Sequence, residues 1–454
     1  MKKYVRLIFA ILILAQFISC NTPVPKEKEA DSATSTEWMN DAVLYEVNIR
    51  QYTPEGTLNA FAEHLPRLKE LGVDILWIMP VQPISEINRK GSLGSYYSVA
   101  DYKKVNPEFG TIDDFKNLVV KAHEMGMKVI IDWVANHTGW DNPWIVEQPE
   151  WYTTDSTGAI ISPVSDWSDV ADLNFDQQPM REAMIDAMDF WLTETDIDGF
   201  RCDVAWGVPQ DFWEKARASF DSIKPVYMLA EDEGHPDFLK KAFHSNYAWG
   251  LHHIMNDVAQ GKKTVAAILE YFENAKGKYP EGSFPMQFIT NHDENSWQGT
   301  IEERMGEAGD AFAVFSFTIP GIPLIHSGQE AGLNKRLLFF EKDEIDWSDL
   351  SKQEFYKELV QLKTENPALW NGEAGGGIEF LETSVPDKLL AYKRVKGGNE
   401  VIVVLNLSED NIQGTVNPGS NFKYKEYFSR EGILPGGNAS IEIEAWNYLV
   451  FVKE

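Results

Sequence analysis

From about residue 38 the chain alternates between two rhythms. Short apolar runs rich in Val and Ile are each followed by a stretch with apolar residues at helical spacing. "VLYEVNI" (43–49) is the first run, and "FAEHLPRLKELG" follows it with Gly72 as a helix stop. "DILWIMPV" (74–81), the helical "TIDDFKNLVVKAHEMG" and "KVIIDWVANH" (128–137) continue the pattern. Later runs are "IDGFRCDVA", "PVYMLAE", "YAWGL", "PMQFITNHD" and "IPLIHSGQE", eight in all. Continuously apolar runs joined by crossover helices predict a parallel sheet. Eight such units predict a closed (β/α)8 TIM barrel over residues 38–376.

Two stretches break the rhythm. About 40 residues separate His137 from the helical "MREAMIDAMDFWLTE", and they hold Trp140, Trp144, Trp151 and Trp167 among turn residues. They predict a short excursion domain after strand three, at about 138–178. From residue 377 strands alternate with turns, as in "KLLAYKRV", "EVIVVLNLS" and "SIEIEAWNYLVFVK". That pattern predicts a C-terminal all-β sandwich domain over 377–454.

Composition narrows the partners. The net charge of -29 excludes a phosphate-backbone partner, because nucleic-acid binding needs a basic face. Fifteen tryptophans fill the core or provide flat platforms for uncharged rings such as sugars. The first twenty residues read as a targeting segment: "MKKYVR" is basic, and "LIFAILILAQF" is apolar but short for a membrane span. The ending "FISC" resembles a bacterial lipoprotein signal, with Phe17 a departure from the usual Leu. The resemblance implies cleavage before Cys20, lipid on its sulfur, and an exported protein on the periplasmic side or cell surface. Membrane contact is then through the anchor only. Residues 21–37 are polar and proline-bearing and read as a flexible tether. The one other cysteine, Cys202, sits in an apolar run and reads as a small buried residue.

Several strand ends carry polar groups, and in a parallel barrel that end holds the active site. "DWVANH" supplies Asp132, Asn136 and His137; "GFRCDVA" supplies Arg201 and Asp203; "MLAEDE" supplies Glu231; "FITNHDEN" supplies Asn291, His292 and Asp293. One such carboxylate is more often a helix cap. Four carboxylates, two histidines and an arginine at one end of a barrel need another reason. Glycoside cleavage needs one carboxylate to attack the anomeric carbon and one protonated carboxyl to release the leaving oxygen. An adjacent guanidinium lowers the pKa of the first, and burial or a neighbouring carboxylate raises that of the second. Arg201 and Asp203, two apart on a strand, point to the same face.

These motifs, in this order, resemble the alpha-amylase family, glycoside hydrolase family 13. "ADLNFD" (171–176), "GSYYSVADYKKVNPEFGT" (94–111) and "PGIPLIHSGQE" add to the resemblance. It implies Asp203 as nucleophile, Glu231 as general acid/base and Asp293 as transition-state stabiliser. It implies Arg201 as the residue keeping the nucleophile ionised, with His137 and His292 binding the sugar beside the cleaved bond. Tyr97 is implied as the platform beneath that sugar, and Asn136 and Asp172 as calcium positions; no organic cofactor is implied. Gly207 stands where many relatives carry a histidine, which is closer to the neopullulanase and cyclomaltodextrinase branch. The expected substrate is an alpha-glucan, chiefly alpha-1,4-linked malto-oligosaccharides, with Trp140 or Trp144 as a second platform. A transglycosylase sharing the intermediate and a non-catalytic glucan-binding lipoprotein are the alternatives.

Overall fold

The computed structural model describes residues 36–419, 423–434 and 437–453, so Cys20 and the targeting segment lie outside the described residues. Eight parallel strands form one sheet: β1 Leu44–Val47, β2 Ile75–Ile78, β3 Lys128–Val134, β4 Gly199–Asp203, β5 Tyr227–Ala230, β6 Ser245–Asn246, β7 Met286–Gln287 and β8 Ile322–His326. Neighbours follow chain order, with β1 paired to β8. A parallel bridge from Tyr247 to Met286 joins β6 to β7 and closes the ring.

Side-chain parity along each strand explains both the core and the site. Leu44, Ile75, Trp77, Ile130, Leu229, Ile322 and Leu324 belong to one buried cluster that fills the barrel. Their strand neighbours, such as Val43, Tyr45, Leu76 and Val129, pack in a second cluster beneath the surrounding helices. Two residues beyond Leu44 on the same face stands Glu46, and two beyond Ile130 stands Asp132. Arg201 and Asp203 share the corresponding face of β4, with Asp132 opposite Arg201 in register. The barrel is therefore apolar below and charged at its C-terminal mouth.

Local signals set the helix limits. Thr111 and Asp114 form a reciprocal capping box at the start of helix Ile112–Glu124. Gly72 ends helix Leu65–Leu71 at φ 95°, a left-handed geometry that only glycine adopts at no cost. The excursion after β3 is built on an antiparallel pair, His137–Gly139 with Val170–Asp172.

The C-terminal region has a six-stranded antiparallel sheet, in which Leu389–Lys396, Asn399–Asn406 and Tyr448–Lys453 are central. It covers a separate core with the strand pair Ile412–Val416 and Ala439–Ile443. Buried Arg394 ties it to the barrel by donating to the carbonyls of Ile319 and Leu369 at 3.0 and 3.1 Å. Among the described residues no helix is long and apolar enough to cross a membrane.

Candidate active site

The charged residues at the barrel mouth form one connected network around Arg201. The guanidinium is fully buried, and its Nη1 donates to Asp132 at 2.8 Å and to Asp203 at 3.0 Å. Its Nε donates to the Tyr247 hydroxyl at 3.0 Å. Nη2 lies 3.0 Å from Glu231 Oε1, an ion pair lacking hydrogen-bond alignment. Val204 adopts φ 44°, a left-handed geometry that a β-branched residue avoids, immediately after Asp203. In that turn its N–H donates to Glu231 Oε2 at 2.8 Å. One guanidinium and one strained turn thus hold Asp203 and Glu231 side by side.

A second chain fixes the opposite wall. The Trp77 indole and the Tyr97 hydroxyl both donate to Asp132 Oδ2, at 3.2 and 3.0 Å. Tyr97 Oη sits 2.8 Å from His292 Nε2, and His292 Nδ1 bonds to the buried Glu46 carboxylate. Asp293 Oδ2 lies 3.3 Å from His292 Nε2. Side chains from seven strand ends and one loop are therefore tied to one another.

Electrostatics sort these groups. Burial pushes the Asp203 carboxyl well above the usual carboxylate range, the Glu231 charge pushes the same way, and Arg201 pulls against both. Burial also raises Asp293, with His292 opposing it and Glu231 adding to it. Arg201 acts on Asp203 in the expected direction, against burial, and its guanidinium is shared with Asp132 and Glu231.

Burial lowers the pKa of His292, but the Asp293 and Glu46 charges outweigh that and raise it from 6.5 to about 9. His292 is therefore an imidazolium at neutral pH. Burial lowers His137 to about 4, so that ring is neutral. A group with a raised folded pKa stabilises the fold fully below its unfolded value of 6.5, and that contribution disappears as pH rises through about 9. His292→Asn is accordingly expected to cost up to about 3 kcal/mol at pH 6 in urea unfolding, a gap that narrows by pH 9.5. A gap independent of pH would show that His292 carries no buried charge.

The cleft above these groups has a volume of ≈ 450 Å³. Tyr97, His137, Asp203, Glu231 and Asp293 all line it, so the structure brings five expected site residues to one cavity. Arg201 and His292 sit directly beneath, buried. The Tyr97 ring faces the cavity and stacks on Phe339, with centroids 6.2 Å apart and planes at 16°. The second aromatic platform is corrected: Trp167, Trp297, Phe339 and Phe340 line the cleft, whereas Trp144 packs against Tyr102 and Trp151. Trp140 donates its indole N–H to the Ser168 carbonyl. Sequence reading also left Glu46 aside, although a lone carboxylate in "VLYEVNI" carries the same signal as the pair in "GFRCDVA".

The two expected calcium positions adjoin. Leu173 N–H donates to the Asn136 carbonyl, and His137 pairs with Asp172 across the excursion's strands. A Cβ at Gly207 would come 2.4 Å from Asn136 Oδ1, so the turn after β4 packs directly on that oxygen. Among the described residues no group of three His, Cys, Asp or Glu is placed to hold a metal. Calcium takes six to eight oxygens. Asn136 and Asp172 supply two side-chain oxygens toward that number, and no chemical step below runs through a metal.

Comparison with known proteins gives concordant matches. The family described as the alpha-amylase catalytic domain matches residues 27–167 and 151–379. Alpha-amylase MalA of Haloarcula japonica is 29% identical over 427 residues, covering 90% of this chain and 61% of that protein's length. Alpha-amylase 3 of Dictyoglomus thermophilum is 29% identical over 467 residues, covering 86% of this chain and 89% of its own. The crystal structure of a noncanonic maltogenic alpha-amylase, AmyB from Thermotoga neapolitana, superposes with a TM-score of 0.83 at 29% identity. That match covers 91% of this chain and 98% of the other.

Proposed function

Because the chain belongs to the alpha-amylase family, we propose that it is a retaining glycoside hydrolase that cleaves alpha-1,4 bonds in malto-oligosaccharides and related alpha-glucans. The observation that carries this reading is the pairing of Asp203 and Glu231 by one guanidinium and one backbone N–H at the floor of the cleft. Asp203 attacks the anomeric carbon while the bond from that carbon to the leaving oxygen breaks. The Glu231 carboxyl gives its proton to that oxygen, and a glycosyl ester forms on Asp203. Water then attacks the same carbon, loses a proton to Glu231 and releases Asp203 as carboxylate. Two inversions retain the alpha configuration.

The surrounding groups serve the transition state. Asp293 accepts hydrogen bonds from sugar hydroxyls as the ring flattens. Neutral His137 donates to a hydroxyl at the cavity wall, the His292 imidazolium holds Tyr97 and Asp293 from beneath, and Tyr97 offers its face beneath the ring. Arg201 spreads its charge over the carboxylates and favours the ionised form of Asp203 that attacks the sugar.

Initial rates on maltotriose to maltoheptaose, isomaltose and panose test the substrate. Turnover of the maltodextrins is expected. Turnover of isomaltose with no cleavage of any maltodextrin would overturn the linkage assignment.

The proposed address is a lipid anchor on Cys20. "FISC" after an apolar run, followed by the polar tether, supports it. The full-length protein is expected in the membrane fraction and Cys20→Ser in the soluble or unprocessed fraction, because lipid chains supply the attachment. Unchanged partition of the variant would refute the anchor.

A further inference from the structure

The loops around the barrel mouth are unequal, and their hydrogen bonds show how. The loop after β2 is tied on one flank to the excursion domain. Lys90 Nζ donates to the Asp166 carbonyl at 2.6 Å and pairs with the Asp169 carboxylate at 3.2 Å. On its other flank it is tied to the loop after β8. Leu93 N–H donates to the Phe340 carbonyl at 3.1 Å, and Ser92 donates to the Glu341 carboxylate through its N–H at 2.9 Å and through its hydroxyl. Buried Arg50 braces the middle from below, donating to the carbonyls of Gly94 and Leu93. Gly91 has no room to give: a Cβ there would meet Phe340 Cβ at 2.5 Å.

The loop after β7 completes this rim. Trp297 packs on Phe339 with centroids 5.2 Å apart, and Asn295 accepts the Leu337 N–H at 2.8 Å. Loops after β7, β8, β2 and β3 are thus joined by hydrogen bonds and ring contacts into one continuous wall.

The position of that wall relative to the proton donor gives it meaning. In a ring of eight strands, β5 with Glu231 at its end stands opposite β1. The loops after β2 and β8 flank β1. The wall and the proton donor therefore face each other across the mouth. In the reaction proposed above, the donor stands beside the departing oxygen, which belongs to the sugar on the reducing side. The sugar bonded to Asp203, and everything attached to its 4-hydroxyl, must point toward the wall. On the donor's side Trp206, just past Val204, is 54% exposed.

We propose that the wall makes this protein a chain-end enzyme. It admits a short non-reducing terminus of an alpha-glucan, excludes chain interiors, and releases short oligosaccharides from that end. Lys90 and Ser92 are the specificity-determining ties that hold the wall closed. The inference rests on the alpha-glucan hydrolase reading. The cavity volume agrees with it, since ≈ 450 Å³ lies low in the range of roughly 300–1,000 Å³ for pockets that enclose a small ligand.

The test compares maltoheptaose with maltoheptaose blocked by a 4,6-ethylidene group on its non-reducing glucose. Initial rates are read by chromatography of the products. The free substrate is expected to lose glucose, maltose or maltotriose from its unblocked end. The blocked substrate should be cut at least tenfold more slowly. The double variant Lys90→Ala, Ser92→Ala, checked for folding by circular dichroism, should narrow that ratio at least threefold. Equal rates on the two substrates in the wild-type protein would overturn the proposal. A folded double variant with an unchanged ratio would overturn the part assigned to Lys90 and Ser92. Failure to cut either substrate would instead overturn the alpha-glucan reading on which the proposal rests.

Discussion

Asp203→Ala is expected to lower kcat on maltoheptaose by on the order of 10⁴-fold or more, with the fold retained. The carboxylate is the atom donor for the covalent intermediate, and no other group at the floor of the cleft replaces it. Glu231→Gln removes the proton donor and leaves the shape, so a loss of about 10²–10⁴ is expected. Both losses should appear equally in kcat and kcat/KM, because these groups act in the transition state and not in ground-state binding. Steady-state kinetics with a thermal melt checks this. Turnover near that of wild type in folded Asp203→Ala would remove Asp203 from the chemistry.

Arg201→Met is expected to have the next largest effect, and it reaches both stability and rate. Three carboxylates lose their shared cation, and Tyr247 loses its donor. Removing one partner of a buried ion pair costs about 3–5 kcal/mol. The Asp203 carboxyl, already raised by burial and by Glu231, rises further without the guanidinium. Asp203 must be ionised to attack, so the acid limb of the kcat/KM–pH profile should move to higher pH in the variant. Arg201→Lys should not restore it, because an ammonium cannot present the planar fork that reaches Asp132, Asp203 and Tyr247 together. Urea unfolding and the pH profile read the two consequences separately. Wild-type stability with an unmoved acid limb would show that Arg201 neither neutralises nor orients the cluster.

How much of this was legible in the sequence depends on how far apart the interacting residues lie. The eight strands were legible because each is buried on both faces and reads as an uninterrupted apolar run. Arg201 and Asp203 were legible for the converse reason, being charges two residues apart in such a run. Glu46 carries the same kind of signal, but its partner His292 lies 246 residues away. One charge with a distant partner looks like an ordinary strand-end residue. The direction of the Asp203 shift was hidden because it depends on a balance between burial and four neighbouring charges, and only the folded geometry sets that balance.

The aromatic platforms show a second limit. The count of tryptophans in the excursion pointed to ring stacking, and the hairpin register decided which one faces the cleft. Trp167 does, and Trp144 turns to Tyr102 and Trp151. The wall left no pattern at all. Lys90, Ser92 and Phe340 sit in irregular loops with neither helical nor strand periodicity, and their ties join segments 76 to 249 residues apart in the chain.

The central claim is double displacement by Asp203 with acid assistance from Glu231. It is tested most directly by proton NMR of the first product formed from maltoheptaose, recorded before mutarotation equilibrates the anomers. The alpha anomer is predicted at the newly formed reducing end; the beta anomer as first product would contradict the account.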